Sequence, residues 1–154
     1  MRAVIQRVKR ASVSLPEKNG EISGKISAGL LVLLGVENGD TIADAEKLAL
    51  KIAGLRIFED SDEKMNLSVR DINGEILVVS QFTLYGNVKK GFRPSFNRSA
   101  KPDISMPLYK KFVELIGNAI GKEIPTGVFG AMMDVELLND GPVTIILDTK
   151  LPEF

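Results

Sequence analysis

Residues 30–36 read Leu-Leu-Val-Leu-Leu-Gly-Val, an unbroken apolar run preceded by Gly29. The run is far too short to span a bilayer. Bounded by Gly29 and Gly35, it predicts a fully buried strand. The first residues behave differently. Ala3, Ile5 and Arg7 point one way and Val4, Gln6 and Val8 the other, and the same pattern resumes with Val13 and Leu15 in phase. Both stretches read as strands. Pro16-Glu17-Lys18-Asn19-Gly20 is a turn, with Asn-Gly its strongest cue. Residues 55–58 predict a short strand, 60–64 a polar turn, and 75–83 a strongly β-prone segment.

Two segments carry helical spacing. Asp40 or Thr41 caps a helix running to about Ala53, with Gly54 closing it and Ala45, Leu48, Ala49 and Ile52 on one face. A second helix starts within 102–105 and ends at Gly121, with Leu108, Phe112, Leu115, Ile116 and Ala119 as its stripe. Pro107 is expected in its first turn, where a missing N–H does least harm. Residues 128–138 and 143–148 predict two final strands, joined by a tight hairpin at Asn139-Asp140-Gly141-Pro142. The order is ββ, α, β, β, α, ββ. It predicts an α/β fold in one domain spanning 1–154, a sheet system with both helices on one side. The length of 154 residues, with 44% apolar and 26% charged side chains, suits one such domain.

Composition narrows the chemistry. The chain has no Cys, which removes disulfides, thiol nucleophiles, CxxC metal sites and iron–sulfur clusters. It has no His, which removes the commonest general base, the Ser–His pair and the commonest zinc ligand. An enzyme built from this sequence is left with carboxylates, hydroxyls, Lys, backbone dipoles and groups on the substrate itself. No metal site of good spacing and no cofactor motif is present. Twenty Lys+Arg balance twenty Asp+Glu, which argues against holding long nucleic acid by bulk charge but not against a shaped pocket for one nucleotide end. The start Met-Arg-Ala-Val-Ile-Gln-Arg-Val-Lys-Arg lacks the apolar centre of a signal peptide. A soluble, cytoplasmic protein without membrane contact is expected.

Four places stand out. Ser80-Gln81-Phe82-Thr83 lies at the end of a buried strand, where it either leaves the core as a polar rim or offers hydroxyls and free N–H groups to a substrate. With no His beside Ser80 or Thr83, a side-chain nucleophile is a poor choice, and backbone amides acting as an oxyanion hole need no titratable partner. Lys89-Lys90-Gly91-Phe92-Arg93-Pro94 interleaves charge with an aromatic, as a solvated loop or a phosphate-contacting one. Phe129 and Met133, four apart on one strand face, read as core or as a flat slot for a base. Arg7 sits in an otherwise apolar alternation, either exposed or buried on a partner such as a backbone carbonyl. Backbone rules leave Gly141–Pro142 open to either peptide isomer.

The opening Met-Arg-Ala-Val-Ile-Gln-Arg-Val-Lys-Arg-Ala-Ser-Val resembles that of the D-aminoacyl-tRNA deacylases. So do the apolar run at 31–36, Leu-Arg-Ile-Phe-Glu-Asp, Lys-Met-Asn-Leu-Ser-Val, Val-Ser-Gln-Phe-Thr-Leu-Tyr-Gly, Arg-Pro-Ser-Phe and Asn-Asp-Gly-Pro-Val-Thr, over residues 1 to about 149. The resemblance implies a three-layer fold with a β-rich, barrel-like sheet system flanked by two helices. It implies a homodimer with active sites at the interface. Its reaction is hydrolysis of the ester between a D-amino acid, or mischarged glycine, and the tRNA 3′-terminal adenosine, without cofactor. Ser80, Gln81, Phe82 and Thr83 would line the ester pocket, and Phe129 and Met133 the adenine slot. A cis Gly141–Pro142, steadied by Arg7, would enter the partner's site and exclude L side chains. After Leu84 many relatives carry Ala or polar residues where this chain has Tyr85-Gly86-Asn87. The rival readings are a related trans-Gly-Pro deacylase acting on L-alanyl-tRNA, a non-catalytic module that binds RNA ends, and a purely structural dimer.

Overall fold

A computed structural model describes residues 1–151. The strands are β1 (Arg2–Leu15), β2 (Glu21–Ile26), β3 (Gly29–Gly35), β4 (Phe58–Glu59), β5 (Met65–Leu67), β6 (Glu75–Ser80) and β7 (Asp134–Asp148), and the helices are α1 (Ile42–Ala53) and α2 (Pro102–Ile120). β1 organises the sheet. One of its edges pairs antiparallel with β7 along most of its length, and the other pairs with β3 over its first half and β2 over its second. β3 then pairs with β6 in parallel. Breaks in register along β1 act as bulges, which bend a strand and sharpen its twist, and the sheet curls into a half-barrel.

The helices cover one face. Ala3 and Ile5 of β1, Leu30, Val32 and Leu34 of β3, and Ile76 and Val78 of β6 are buried against Leu48 and Ile52 of α1 and Phe112 and Ile116 of α2. Leu31 of β3 and Leu77 and Val79 of β6 point the other way, into a smaller cluster with Val8, Ala11, Val13 and Ile26. β3 is thus apolar at successive positions because both of its faces are covered. The face occupied by β1 side chains changes parity between Ile5 and Ala11, where its register with β7 shifts between Val8 and Arg10. α1 has the expected ends: the Thr41 amide and hydroxyl both donate to Asp44 Oδ2, at 2.9 and 2.8 Å, and Gly54 closes the helix.

Four local expectations are corrected. The two amino-terminal stretches are one strand, β1. β6 stops at Ser80, and Phe82–Tyr85 forms a 3₁₀ turn instead of continuing the strand. Pro107 lies in the second turn of α2, past the tolerant first turn. The last correction is the largest. Asn139-Asp140-Gly141-Pro142 does not reverse the chain, because residues on both sides of it pair with β1 in the same antiparallel sense. Gln6 faces Thr144 and Val8 faces Asn139, so residues 140–143 loop out opposite Arg7 alone. Pro142 falls in that looped-out part, where no ladder N–H is needed.

Candidate active site

The parallel neighbours β3 and β6 end at the same edge of the sheet, and a cleft of about 680 Å³ opens beyond their carboxyl ends. That is where open α/β sheets generally bind ligands. Leu34, Val36, Val79 and Ser80 form its floor. Gln81, Phe82 and Thr83 form one rim, Ser105 and Tyr109 of α2 another, and residues 129–133 a third. The cleft therefore gathers six of the nine residues to which the resemblance gives a role: Ser80, Gln81, Phe82, Thr83, Phe129 and Met133.

The 80–83 segment owes its shape to the end of the strand. Gln81 N–H still donates to Leu34 O at 2.7 Å, the last ladder-like bond, and the chain then tightens so that Leu84 N–H reaches Gln81 O at 3.3 Å and Gly86 N–H reaches Thr83 O at 3.0 Å. The amides of Phe82 and Thr83 open the turn and have no acceptor among the described residues. The Gln81 side-chain amide donates to the Thr83 hydroxyl. Phe82 is 58% exposed and meets Phe96 edge-on, with centroids 5.1 Å apart. Arg2 holds the far end of the turn, donating to Leu84 O at 2.7 Å while pairing with Asp148.

Phe129 and Met133 do not share a strand face. They sit in a turn ahead of β7, with Gly130 at φ +78° and Ala131 N–H bonded to Val128 O at 3.2 Å. The Phe129 ring leans on Tyr109 of α2 at 5.7 Å. Tyr109 is 5% exposed and donates its hydroxyl to Val78 O at 3.0 Å. Burial pushes its pKa up to about 12, against a hydrogen bond with Thr126, so it stays protonated at neutral pH. Tyr109, Ser105 and Phe96 were missed from sequence. The buried face of α2 runs Ser105, Tyr109, Phe112, Ile116: it keeps Phe112 and Ile116 of the expected stripe, leaves Leu108 and Leu115 only partly buried beside it, and is headed by a serine and a tyrosine, which is the signal the sequence offered.

The other three residues do not line this cleft. Arg7 is buried on the helix face of β1 and satisfied largely by main chain: Nη1 donates to Ile57 O at 2.7 Å and Nε to Asp140 O at 3.2 Å. Nε also lies 3.3 Å from Asp140 Oδ2. Gly141 has φ +121°, and a Cβ there would sit 3.1 Å from Arg7 Nη2, so both conformation and packing favour glycine. The Gly141–Pro142 peptide is cis, and both residues are exposed. Val135, Leu137, Leu138 and Ile146 are exposed apolar side chains on the same strand, β7, whose partner among the described residues is β1.

No group of three or more His, Cys, Asp or Glu side chains among the described residues is placed to hold a metal ion. Among the described residues no helix is long and apolar enough to cross a membrane. The arrangement is that of a curled-sheet α/β protein whose cleft joins an aromatic and thioether slot to a rim of hydroxyls and free amides. The profile of the D-Tyr-tRNA(Tyr) deacylase family matches residues 4–148, and the chain belongs to that family. It is 61% identical over 150 residues to a D-aminoacyl-tRNA deacylase of Koribacter versatilis (strain Ellin345), covering 97% of this chain and 98% of that one. It is 55% identical over 153 residues to the same enzyme of Flavobacterium psychrophilum, covering 99% and 100%. Among solved structures it superposes on a c-Myc DNA unwinding element binding protein with TM-score 0.89 and 42% identity, over 98% of this chain and 100% of that one. A probable eukaryotic D-amino acid tRNA deacylase matches with TM-score 0.81 at 17% identity, over 95% and 97%, a likeness of fold.

Proposed function

We propose that this protein is a D-aminoacyl-tRNA deacylase, which hydrolyses the ester between a D-amino acid and the 3′-terminal adenosine of tRNA. The observation that carries the reading is the meeting of residues 80–83 with Phe129 and Met133 around one cleft, in a chain whose relatives bear that enzyme's name. Adenine lies in the slot made by Phe129 and Met133. The ester carbonyl faces the amides of Phe82 and Thr83, which stabilise the oxyanion as water attacks. Each such donor is worth roughly 3 kcal/mol of barrier. With neither imidazole nor thiol in the chain, the ribose 2′-hydroxyl of the substrate orients the water. The carbonyl carbon gains the water oxygen, the bond to the ribose 3′-oxygen breaks, and that oxygen takes a proton.

Chirality follows from a rejection. The bulge at residues 140–143 exposes Gly141 and Pro142, is tied down by Arg7, and projects from a strand with exposed apolar side chains and one edge unpaired among the described residues. In a homodimer it enters the partner's cleft and occupies the space an L side chain needs. Rigid main chain rejects what an apolar pocket discriminates poorly. A D side chain points out to solvent, and glycine has nothing to reject, so mischarged glycyl-tRNA is also a substrate. The cytoplasm, where aminoacylated tRNA is found, is the place of action.

The test is turnover of D-tyrosyl-tRNA and L-tyrosyl-tRNA under matched conditions, with sedimentation to read the oligomer. Release of D-tyrosine with the L ester intact, from a dimer, is the expected result. Binding of both without release of either would favour a non-catalytic module that holds RNA ends.

A further inference from the structure

We infer that the loop between Gly86 and Phe96 is an RNA-contacting arm. In this assignment, which rests on the cleft taking a tRNA 3′ end, Phe92 stacks on an unpaired base just 5′ of the terminal adenosine. Lys89, Lys90 and Arg93 meet the neighbouring phosphates.

The arm has a defined base and an exposed tip. Asn87 and Ser95 exchange N–H···O bonds of 2.8 and 3.0 Å, and Asn87 Oδ1 accepts the Lys89 amide at 2.8 Å. Gly91, at φ +81°, turns the chain at the far end. Phe92 follows it and is 105% exposed relative to a free side chain, so folding buries none of its ring. A lone aromatic flanked by cations is a nucleic-acid pattern: the ring takes a base face and the cations take the backbone.

The charge around it is one-sided. No Asp or Glu occurs between Glu75 and Asp103, although the whole chain is neutral. Arg98, Lys111 and Lys150 each pair with a carboxylate, whereas Lys89, Lys90 and Arg93 make no ion pair among the described residues. The arm also springs from the cleft wall. Phe96 at its base lines the cleft and touches Phe82, while Gly86 on the other side packs under the Phe96 ring, where a Cβ would lie 3.3 Å from it. Phe92 stands four positions before Phe96 in the chain, so its Cα lies within about 14 Å of that of a residue lining the cleft. A strand whose last nucleotide fills the cleft passes the arm with the nucleotides before it.

The experiment compares wild type, Phe92→Ala, Phe92→Tyr and the triple variant Lys89→Ala/Lys90→Ala/Arg93→Ala. Two readouts are used: binding of uncharged tRNA across a salt series, and hydrolysis of 3′-O-D-tyrosyl-adenosine, which is too small to reach the arm. Phe92→Ala should weaken tRNA binding about tenfold or more, and Phe92→Tyr should restore it. The triple variant should lower the slope of log affinity against log salt by about 2, at roughly 0.7 per phosphate. All variants should hydrolyse the small ester as wild type does. Unchanged tRNA binding and salt slope in the variants would overturn the inference. So would equal losses on tRNA and on the small ester, which would make the loop a shaper of the cleft. A wild type that binds tRNA through the arm but leaves the small ester intact would instead overturn the deacylase reading alone.

Discussion

Arg7 Nε donates to the main-chain carbonyl of Asp140 at 3.2 Å, so a buried side chain on β1 sets the main chain immediately before Gly141. The same guanidinium reaches Ile57 O at 2.7 Å with Nη1, which ties the bulge to the segment entering β4. An exposed loop-out is thereby fixed from beneath by one planar, multi-donor head. Only Arg has a fork rigid enough to serve two carbonyls at once.

Removing that head should cost stability and selectivity together. Arg7→Ala leaves the carbonyls of Ile57 and Asp140 without this donor, and urea unfolding should report a loss of about 3 kcal/mol. Arg7→Lys keeps a charge but does not span both acceptors, so it should unfold at intermediate urea. If the 140–143 bulge is the chiral filter, the folded Lys variant should hydrolyse L-tyrosyl-tRNA measurably faster relative to the D ester. A wild-type ratio in a folded Arg7→Lys protein would remove the bulge from that role.

Thr83 separates backbone from side-chain catalysis. Its hydroxyl accepts a hydrogen bond from the Gln81 amide, while its own N–H and that of Phe82, at the head of the turn, have no acceptor among the described residues. Thr83→Ala should retain substantial kcat, because the amides stay in place. A 2′-deoxy terminal adenosine should slow the reaction much more. Complete inactivity of Thr83→Ala would point to a hydroxyl nucleophile, and full turnover of the deoxy substrate would eliminate the ribose from the mechanism.

Asp44 supplies an acid-limb signature. Partial burial opposes its ionisation, but hydrogen bonds from the Thr41 amide, Thr149 and the Thr41 hydroxyl, with the charge of the Met1 ammonium, bring its pKa down to about 2. A carboxylate whose folded pKa is depressed stabilises the fold above its unfolded pKa, near 3.9, and loses that contribution as pH falls through the folded value. Asp44→Ala should lower stability by about 1 kcal/mol at pH 7 through loss of the helix cap. Thermal melts of wild type and variant should converge between pH 4 and pH 2. A gap that persists undiminished at pH 2 would contradict the assignment.

Gly29 tests the seam between β3 and β6. It pairs with Glu75 at the start of the parallel ladder, and a Cβ there would overlap the Glu75 carbonyl oxygen and lie 2.7 Å from its amide nitrogen. Both are main-chain atoms that cannot swing aside. Gly29→Ala should therefore cost several kcal/mol, about 4 or more, and abolish soluble expression or shift the urea midpoint sharply. Gly39→Ala makes a useful companion, because a Cβ there meets nothing within 4 Å, although its φ of +83° still makes alanine mildly unfavourable.

Much of this protein is legible in its sequence. The run at 30–36 is apolar at every position because both faces of β3 are covered, and the alternation over Ala3, Ile5 and Arg7 reports one covered face of β1. Thr41 and Gly54 mark the ends of α1 through local hydrogen-bonding chemistry that needs no distant partner. The absence of imidazole and thiol limits the chemistry whatever the fold. What the tertiary structure decided lies wherever local chemistry serves two outcomes equally. Asn139-Asp140-Gly141-Pro142 suits a reversal as well as a bulge, and the choice falls to β1, long enough to pair with residues on both sides of it. Phe129 and Met133 reach the same cleft as Ser80 because Tyr109, on a helix between them in sequence, bonds to Val78 with its hydroxyl and meets Phe129 with its ring. Alternation and capping are set by near neighbours, so sequence carries them; a site closed by residues fifty positions apart exists only once the sheet has curled and the helix has docked.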